Sequence, residues 1–179
     1  MFDDIFNEND MIELQSLLRA NKQTITTAES CTGGLIASMI TKISGSSDIF
    51  DGSIVTYSNK IKNQELNVKN ETLEKHGAVS FEVVNEMLDG VIKKFEANFA
   101  IAISGIAGPN GATKNKPVGT VFIGIGDSNH HKIVTLHNFN GSREEVQIQA
   151  AKVALKEISK FILNSLDKQN KLHYNSSPI

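Results

Sequence analysis

Ser30 stands in the run Ala28-Glu29-Ser30-Cys31-Thr32-Gly33-Gly34, where a hydroxyl and a thiol are followed by a second hydroxyl and two glycines. Such a run opening a helix offers free main-chain N–H groups, a helix end that favours negative charge, and glycines that let a ligand approach the backbone. Ser30, Cys31, Thr32, Gly33 and Gly34 are therefore candidates for holding or attacking an electrophilic or anionic group. The longer loop ending in Gly-Lys-Ser/Thr is absent, which sets aside an ordinary P-loop nucleotide triphosphatase. The competing reading is local: Ser30 or Thr32 simply caps the first turn of a helix. Cys31 is a second nucleophile candidate, because a helix start lowers a thiol pKa, unless it packs as a small apolar group.

A serine attacks a carbonyl only when a neighbouring base takes its proton. Lysine does this once burial lowers its pKa, and tyrosine can relay or orient the proton. Tyr57, one of only two tyrosines, and Lys62 supply those groups in one short segment. A solvated surface lysine is the competing reading of Lys62. The glycine-rich stretch Ser104–Pro117 lacks the dinucleotide fingerprint. Its Gly105 and Gly108 would let backbone donors line a carbonyl or phosphate, with Lys114 or Lys116 adding charge at the rim; otherwise it is a long connection between strands. Arg143 either recognises an anion bidentately or pairs with Glu144 or Glu145. The histidines form no HExxH or cysteine/histidine cluster, so no metal ligand is assigned and no cofactor is expected; His130 and His131 read as exposed hairpin residues.

These groups need a scaffold. Helical spacing of apolar residues marks helices from Met11 to about Asn21, over Leu35–Ile40, over Asn70–His76 and Ser80–Phe95, and from about Ser142 to Leu166. Asn59–Val68 reads as a turn plus a short helix. Strands are predicted at Thr24–Thr27, Ile49–Tyr57, Phe99–Ile103 and Gly119–Gly126, with Lys132–Phe139 as the hairpin partner of the last. Helices covering about five strands make an α/β protein with a mixed sheet. The expected organisation is a polar lead-in at 1–9, one domain at 10–166 and a frayed tail at 167–179.

Composition narrows the classes. Lys and Arg total 18 against 20 Asp and Glu, and no basic stripe supplies a phosphate footprint, which argues against a nonspecific nucleic-acid binder; no specific nucleic-acid partner is expected either. A single cysteine excludes an internal disulfide framework, and neither a signal sequence nor a bilayer-spanning run is read, so a cytoplasmic protein without membrane association is expected.

Taken together and in order, several motifs closely resemble the carboxy-terminal domain of the CinA (competence/damage-inducible) family. They are Thr27 to Gly34, Val55-Thr56-Tyr57-Ser58-Asn59 with Lys62, Gly77-Ala78-Val79-Ser80, Ser104 to Pro109, Lys116 to Thr120, and Phe139 to Arg143. The resemblance implies a three-layer α/β/α sandwich, commonly a homo-oligomer such as a dimer. It also implies hydrolysis of the nicotinamide mononucleotide carboxamide to nicotinic acid mononucleotide and ammonia, a step in pyridine-nucleotide (NAD) recycling. In that reading Ser30 is the nucleophile, Lys62 the general base and Tyr57 a proton relay or hydroxyl anchor. Backbone N–H groups around Cys31 and Gly33 face the oxyanion, and Gly105, Gly108, Lys116 and Arg143 hold the nucleotide. The chain departs from the common pattern at Ala112, Ser142 and Gln147, which bears on phosphate or ribose recognition. The alternative is a nucleotide-binding or protein-interaction module with weakened catalysis.

Overall fold

The computed structural model describes residues 1–175, with side-chain surroundings described as far as Asp167. Five strands form one mixed sheet in the order β2-β1-β3-β4-β5: β1 Ile25–Glu29, β2 Ser53–Val55, β3 Phe99–Gly105, β4 Thr120–Asp127 and β5 Lys132–Asn138. β1 runs parallel to both β2 and β3, whereas β3–β4 and β4–β5 are antiparallel. Six α-helices cover its two faces, giving the expected three-layer α/β/α sandwich: α1 Glu8–Ala20, α2 Leu35–Thr41, α3 Asn59–Leu66, α4 Asn70–His76, α5 Phe81–Phe95 and α6 Arg143–Asn175.

The two faces of the sheet differ in residue size, and strand alternation produces the difference. Phe99, Ile101 and Ile103 of β3 join Val121, Ile123 and Ile125 of β4 against α1, α2 and α6. Ala100 and Ala102, with Ala28 of β1, face Val83, Val84, Met87, Leu88 and Val91 of α5. Small residues on that face let α5 lie close to the sheet.

Several boundaries differ from the sequence expectation, three of them with a clear physical cause. β2 begins at Ser53 rather than Ile49, because Ser46–Asp48 winds into a short 3-10 helix and the ladder with β1 starts only at Thr27↔Ser53. The lead-in is not wholly polar in its role: Phe6 is buried, and Asn7 caps α1 by accepting from the Asn9 and Asp10 N–H groups. α6 continues to Asn175 instead of ending near Leu166, so part of the expected frayed tail is helical; residues 176–179 lie outside the described residues.

Chain reversal places the functional segments. The β1-α2-β2 crossover sends the chain to one side of β1, and α3, α4 and α5 return it to the other side as β3. Such a switch point leaves a crevice at the carboxyl ends of the strands. Ser30 follows β1, Thr56 and Tyr57 follow β2, and Gly105 ends β3, so all of them meet at that edge.

Candidate active site

The strand-to-helix turn after β1 hangs on the central strand. The Ser30 N–H donates to Ile103 O at 3.0 Å, and the Thr56 N–H donates to Glu29 O at 2.8 Å, which brings the ends of β1, β2 and β3 together. Gly33 and Gly34 then take φ values of +64° and +101°, a left-handed conformation that suits glycine and turns the chain sharply into α2.

Lys62 arrives from α3. Ser58 caps that helix, its Oγ accepting from the Ile61 N–H, and Lys62 lies four residues before Leu66 on the face turned into the protein. The lysine is 1% exposed, and its Nζ sits 2.9 Å from Ser30 Oγ and 2.7 Å from Thr56 O. Removal from water disfavours the ammonium form, and the pKa is pushed down to about 8, against a small opposing influence of Cys31. A hydroxyl facing a desolvated amine, with a carbonyl fixing one amine hydrogen, is an arrangement for activating serine.

Cys31 is less suited to attack. Its side chain is buried and its thiol is pushed up to about 12, mainly by loss of solvation and additionally by the Glu29 charge. The helix start that would depress a thiol pKa is already occupied. Glu29, fully buried, accepts from the N–H groups of Gly34 (3.0 Å), Ile36 (3.1 Å) and Ala37 (2.9 Å) and from Thr32 Oγ1 (2.7 Å). The expectation that this turn is open to a ligand anion is therefore corrected: Thr32 and Gly34 direct their donors at Glu29, and the Gly33 N–H donates to Ser30 O at 3.2 Å. Thr32, Gly33 and Gly34 border a separate surface depression with Leu35, Ser38 and Gln147.

The cleft beside Ser30 measures about 160 Å³ and is lined by Ser30, Cys31, Tyr57, Lys62, Ala78, Val79, Ser104, Gly105, Ala107 and Arg143. Tyr57, 64% exposed, stands at the mouth, where its hydroxyl accepts from Arg143 Nη2 at 3.0 Å. Arg143 also donates through Nη1 to Gly108 O at 2.8 Å, so Gly108 anchors the arginine through its carbonyl. Of the two partners considered for Arg143, Glu145 is engaged elsewhere, accepting from the Ser142 N–H at 2.7 Å and capping α6. Gly105 is glycine for packing reasons: a Cβ there would meet Val121 Cγ2 at 2.6 Å and Thr120 O at 2.9 Å.

Lys116 does not line the cleft. Its Nζ donates to His76 O (3.0 Å) and Val79 O (2.6 Å), tying down the loop whose Ala78 and Val79 form a cleft wall, while Ser104 Oγ holds Ala78 O at 2.8 Å. Gln147, one of the departures noted in the sequence, donates its side-chain amide to Cys31 O at 2.7 Å and so fastens the Ser30 turn to α6. The positioning roles of Ser104 and Glu29 escaped the sequence reading, and Gln147 was linked there to ligand recognition rather than to the turn it holds. Glu29 left one signal, an acidic residue closing a strand between threonines and a turn. Among the described residues, no three His, Cys, Asp or Glu side chains group as a metal site, and no helix is long and apolar enough to cross a membrane.

Comparison with known proteins agrees with this architecture. The CinA C-terminal domain model matches residues 8–162. A CinA-like protein of Thermotoga neapolitana is 47% identical over 146 residues, which cover 82% of this chain and 35% of the relative. One of Prochlorococcus marinus is 51% identical over 153 residues, covering 83% of this chain and 36% of the relative. The chain thus spans about a third of the length of those curated relatives. Among solved structures, a CinA superfamily protein of Klebsiella pneumoniae superposes with a TM-score of 0.83 at 33% identity, covering 87% of this chain and 97% of that one. One of Escherichia coli gives 0.83 at 32% identity, covering 91% and 93%. The family match, the shared fold and the motifs gathered around Ser30 make this chain a member of the CinA family through its C-terminal domain.

Proposed function

We propose that the chain is an amidohydrolase that uses Ser30 to convert the carboxamide of nicotinamide mononucleotide into the acid and ammonia, without a metal ion. The observation that carries this reading is the buried 2.9 Å contact between Lys62 Nζ and Ser30 Oγ. In its neutral form Lys62 keeps one hydrogen on Thr56 O and turns its lone pair to Ser30. It takes the hydroxyl proton as Oγ attacks the amide carbon. The tetrahedral intermediate collapses with the carbon–nitrogen bond breaking, and Lys62 returns the proton to the departing nitrogen, which leaves as ammonia. Water, deprotonated by the same amine, then cleaves the ester, releasing the acid and restoring Ser30.

The Cys31 N–H, which has no main-chain partner among the described residues, is the oxyanion donor in this scheme. Gly33 is not assigned that role, since its N–H is already used. Arg143 and Tyr57 at the mouth receive the phosphate end of the nucleotide, and Gly105 contributes wall rather than donors. Tyr57 orients substrate through Arg143, because its hydroxyl bonds there rather than to Ser30. The reading carries with it a cytoplasmic location and a homo-oligomeric state, the second of which light scattering on the purified protein checks.

The test is turnover of nicotinamide mononucleotide in the presence of a chelator, with ammonia and acid product both measured against a folded Ser30→Ala control. Equal amounts of both products from the wild type alone are expected. Saturable binding without hydrolysis would replace this reading with a nucleotide-binding module.

A further inference from the structure

We infer that Glu29 is a positioning residue for the nucleophile: its buried carboxylate fixes the turn that carries Ser30 and so sets the Ser30–Lys62 alignment. The inference rests on the serine–lysine reading of the site. Glu29 holds the structure by its main chain and by its side chain. Through its main chain, Glu29 O accepts the Thr56 N–H, and the carbonyl of that same Thr56 accepts from Lys62 Nζ. Through its side chain, Oε2 accepts from Thr32 Oγ1, the Gly34 N–H and the Ile36 N–H, and Oε1 accepts from the Ala37 N–H and, at 3.3 Å, from Thr27 Oγ1. Ser30 lies between the strand residue and the turn that this one carboxylate spans. The Lys62–Ser30 contact closes a ring running Glu29, Thr56, Lys62, Ser30, and the carboxylate locks the remaining side of the ring to α2.

The chemistry of the side chain matters. Five hydrogen-bond donors converge on one group, and a carboxylate accepts from all of them because both of its oxygens are acceptors. Glutamine keeps the length but replaces one acceptor with an NH₂, which would face N–H or O–H donors. The turn must then shift. A displacement of about 1 Å at a reacting atom can cost roughly 10²-fold in rate without weakening ligand contacts made elsewhere. Those contacts come from Tyr57, Arg143 and the loop containing Ala78 and Val79, none of which bonds to the Glu29 side chain.

The experiment compares wild type, Glu29→Gln and Ser30→Ala. It measures kcat and KM on nicotinamide mononucleotide and, independently of that substrate, the rate at which a sulfonyl fluoride labels Ser30, located by mass spectrometry. The expected result is a variant with wild-type circular dichroism, a kcat lower by about 10²-fold, a KM within about twofold, and a labelling rate lowered by a similar factor. A folded variant with kcat and labelling within about threefold of wild type overturns the inference, as does a raised KM at unchanged kcat. Should Glu29→Gln not fold, Glu29→Asp, which keeps both acceptor oxygens on a shorter arm, carries the same comparison. Wild type that is labelled at Ser30 but idle on the nucleotide leaves the labelling comparison decisive and overturns only the choice of substrate. Wild type that is neither labelled nor active overturns the serine–lysine reading, and this inference with it.

Discussion

Lys62 and Lys116 are both lysines that donate to main-chain carbonyls, yet they do different work. Lys116 is half-buried on a loop and spends its ammonium on His76 O, at the end of α4, and Val79 O, in the loop that follows. Lys62 is almost wholly buried on a helix, with one carbonyl and one hydroxyl as partners. The first arrangement uses the ammonium purely as a donor to carbonyls. The second penalises the charge, and leaves a proton acceptor next to a serine. The lesson is that the partner set and the solvent decide whether a lysine is a clamp or a base, since residue type is the same in both.

The sharpest way to break this contrast is to replace each lysine by methionine. Lys62→Met is expected to lower kcat by about 10²–10⁴-fold, the usual range for a lost general base, while the melting temperature at pH 7 does not fall. Lys116→Met is expected to do the reverse: stability drops by about 1–3 kcal/mol as two carbonyls lose a charged donor, and kcat stays within about tenfold. Calorimetry beside steady-state kinetics reads both. If each variant loses activity and stability in equal measure, the distinction between clamp and base is gone.

Titration sharpens the same contrast. In the proposed mechanism Lys62 is the base, and with its pKa pushed down to about 8, kcat/KM should rise with pH through that value. Stability follows the same group. Between about 8 and 10.5 the unfolded chain holds the Lys62 proton while the folded chain has released it, so stability increases with pH across this window. The penalty is present in full below about pH 8. Its size is on the order of 3 kcal/mol for this one group, and it should vanish from a denaturation series of Lys62→Met.

The smallest effect belongs to Cys31. With its thiol buried and pushed up to about 12, Cys31→Ala should keep kcat within about threefold and cost about 1 kcal/mol or less of stability. Loss of all turnover in that variant, with Ser30 intact, would move the nucleophile to the thiol.

How legible these features were in the sequence depends on the range of the interaction involved. The helices and most strands follow from apolar periodicity, which is local. β2 shrank because a 3-10 turn at Ser46–Asp48 competes with extension, and only pairing with β1 fixes where the ladder starts. Lys62 lies 32 residues from Ser30, and no spacing rule joins them; the family resemblance supplied that pairing, although the four-residue step from Lys62 to the buried Leu66 is a local sign that the lysine faces inward. Thr32, Gly33 and Gly34 misled because the motif looks open to an anion, and the anion that fills it is the chain's own. Lys116 misled for a related reason: its positive charge is answered by carbonyls, which no count of charged residues reveals.

The bond from the Ser30 N–H to Ile103 O has a consequence for how the molecule assembles. Ile103 belongs to the central strand, which is separated from β1 in the chain by the whole segment through α5, and pairing across so long a stretch of chain is slow to form. The Ser30–Lys62 pair is therefore completed with the sheet's middle and lost with it. Activity followed through a urea titration should vanish in step with the far-ultraviolet signal of global unfolding, and an earlier loss of activity would mean that the site opens as a separate unit.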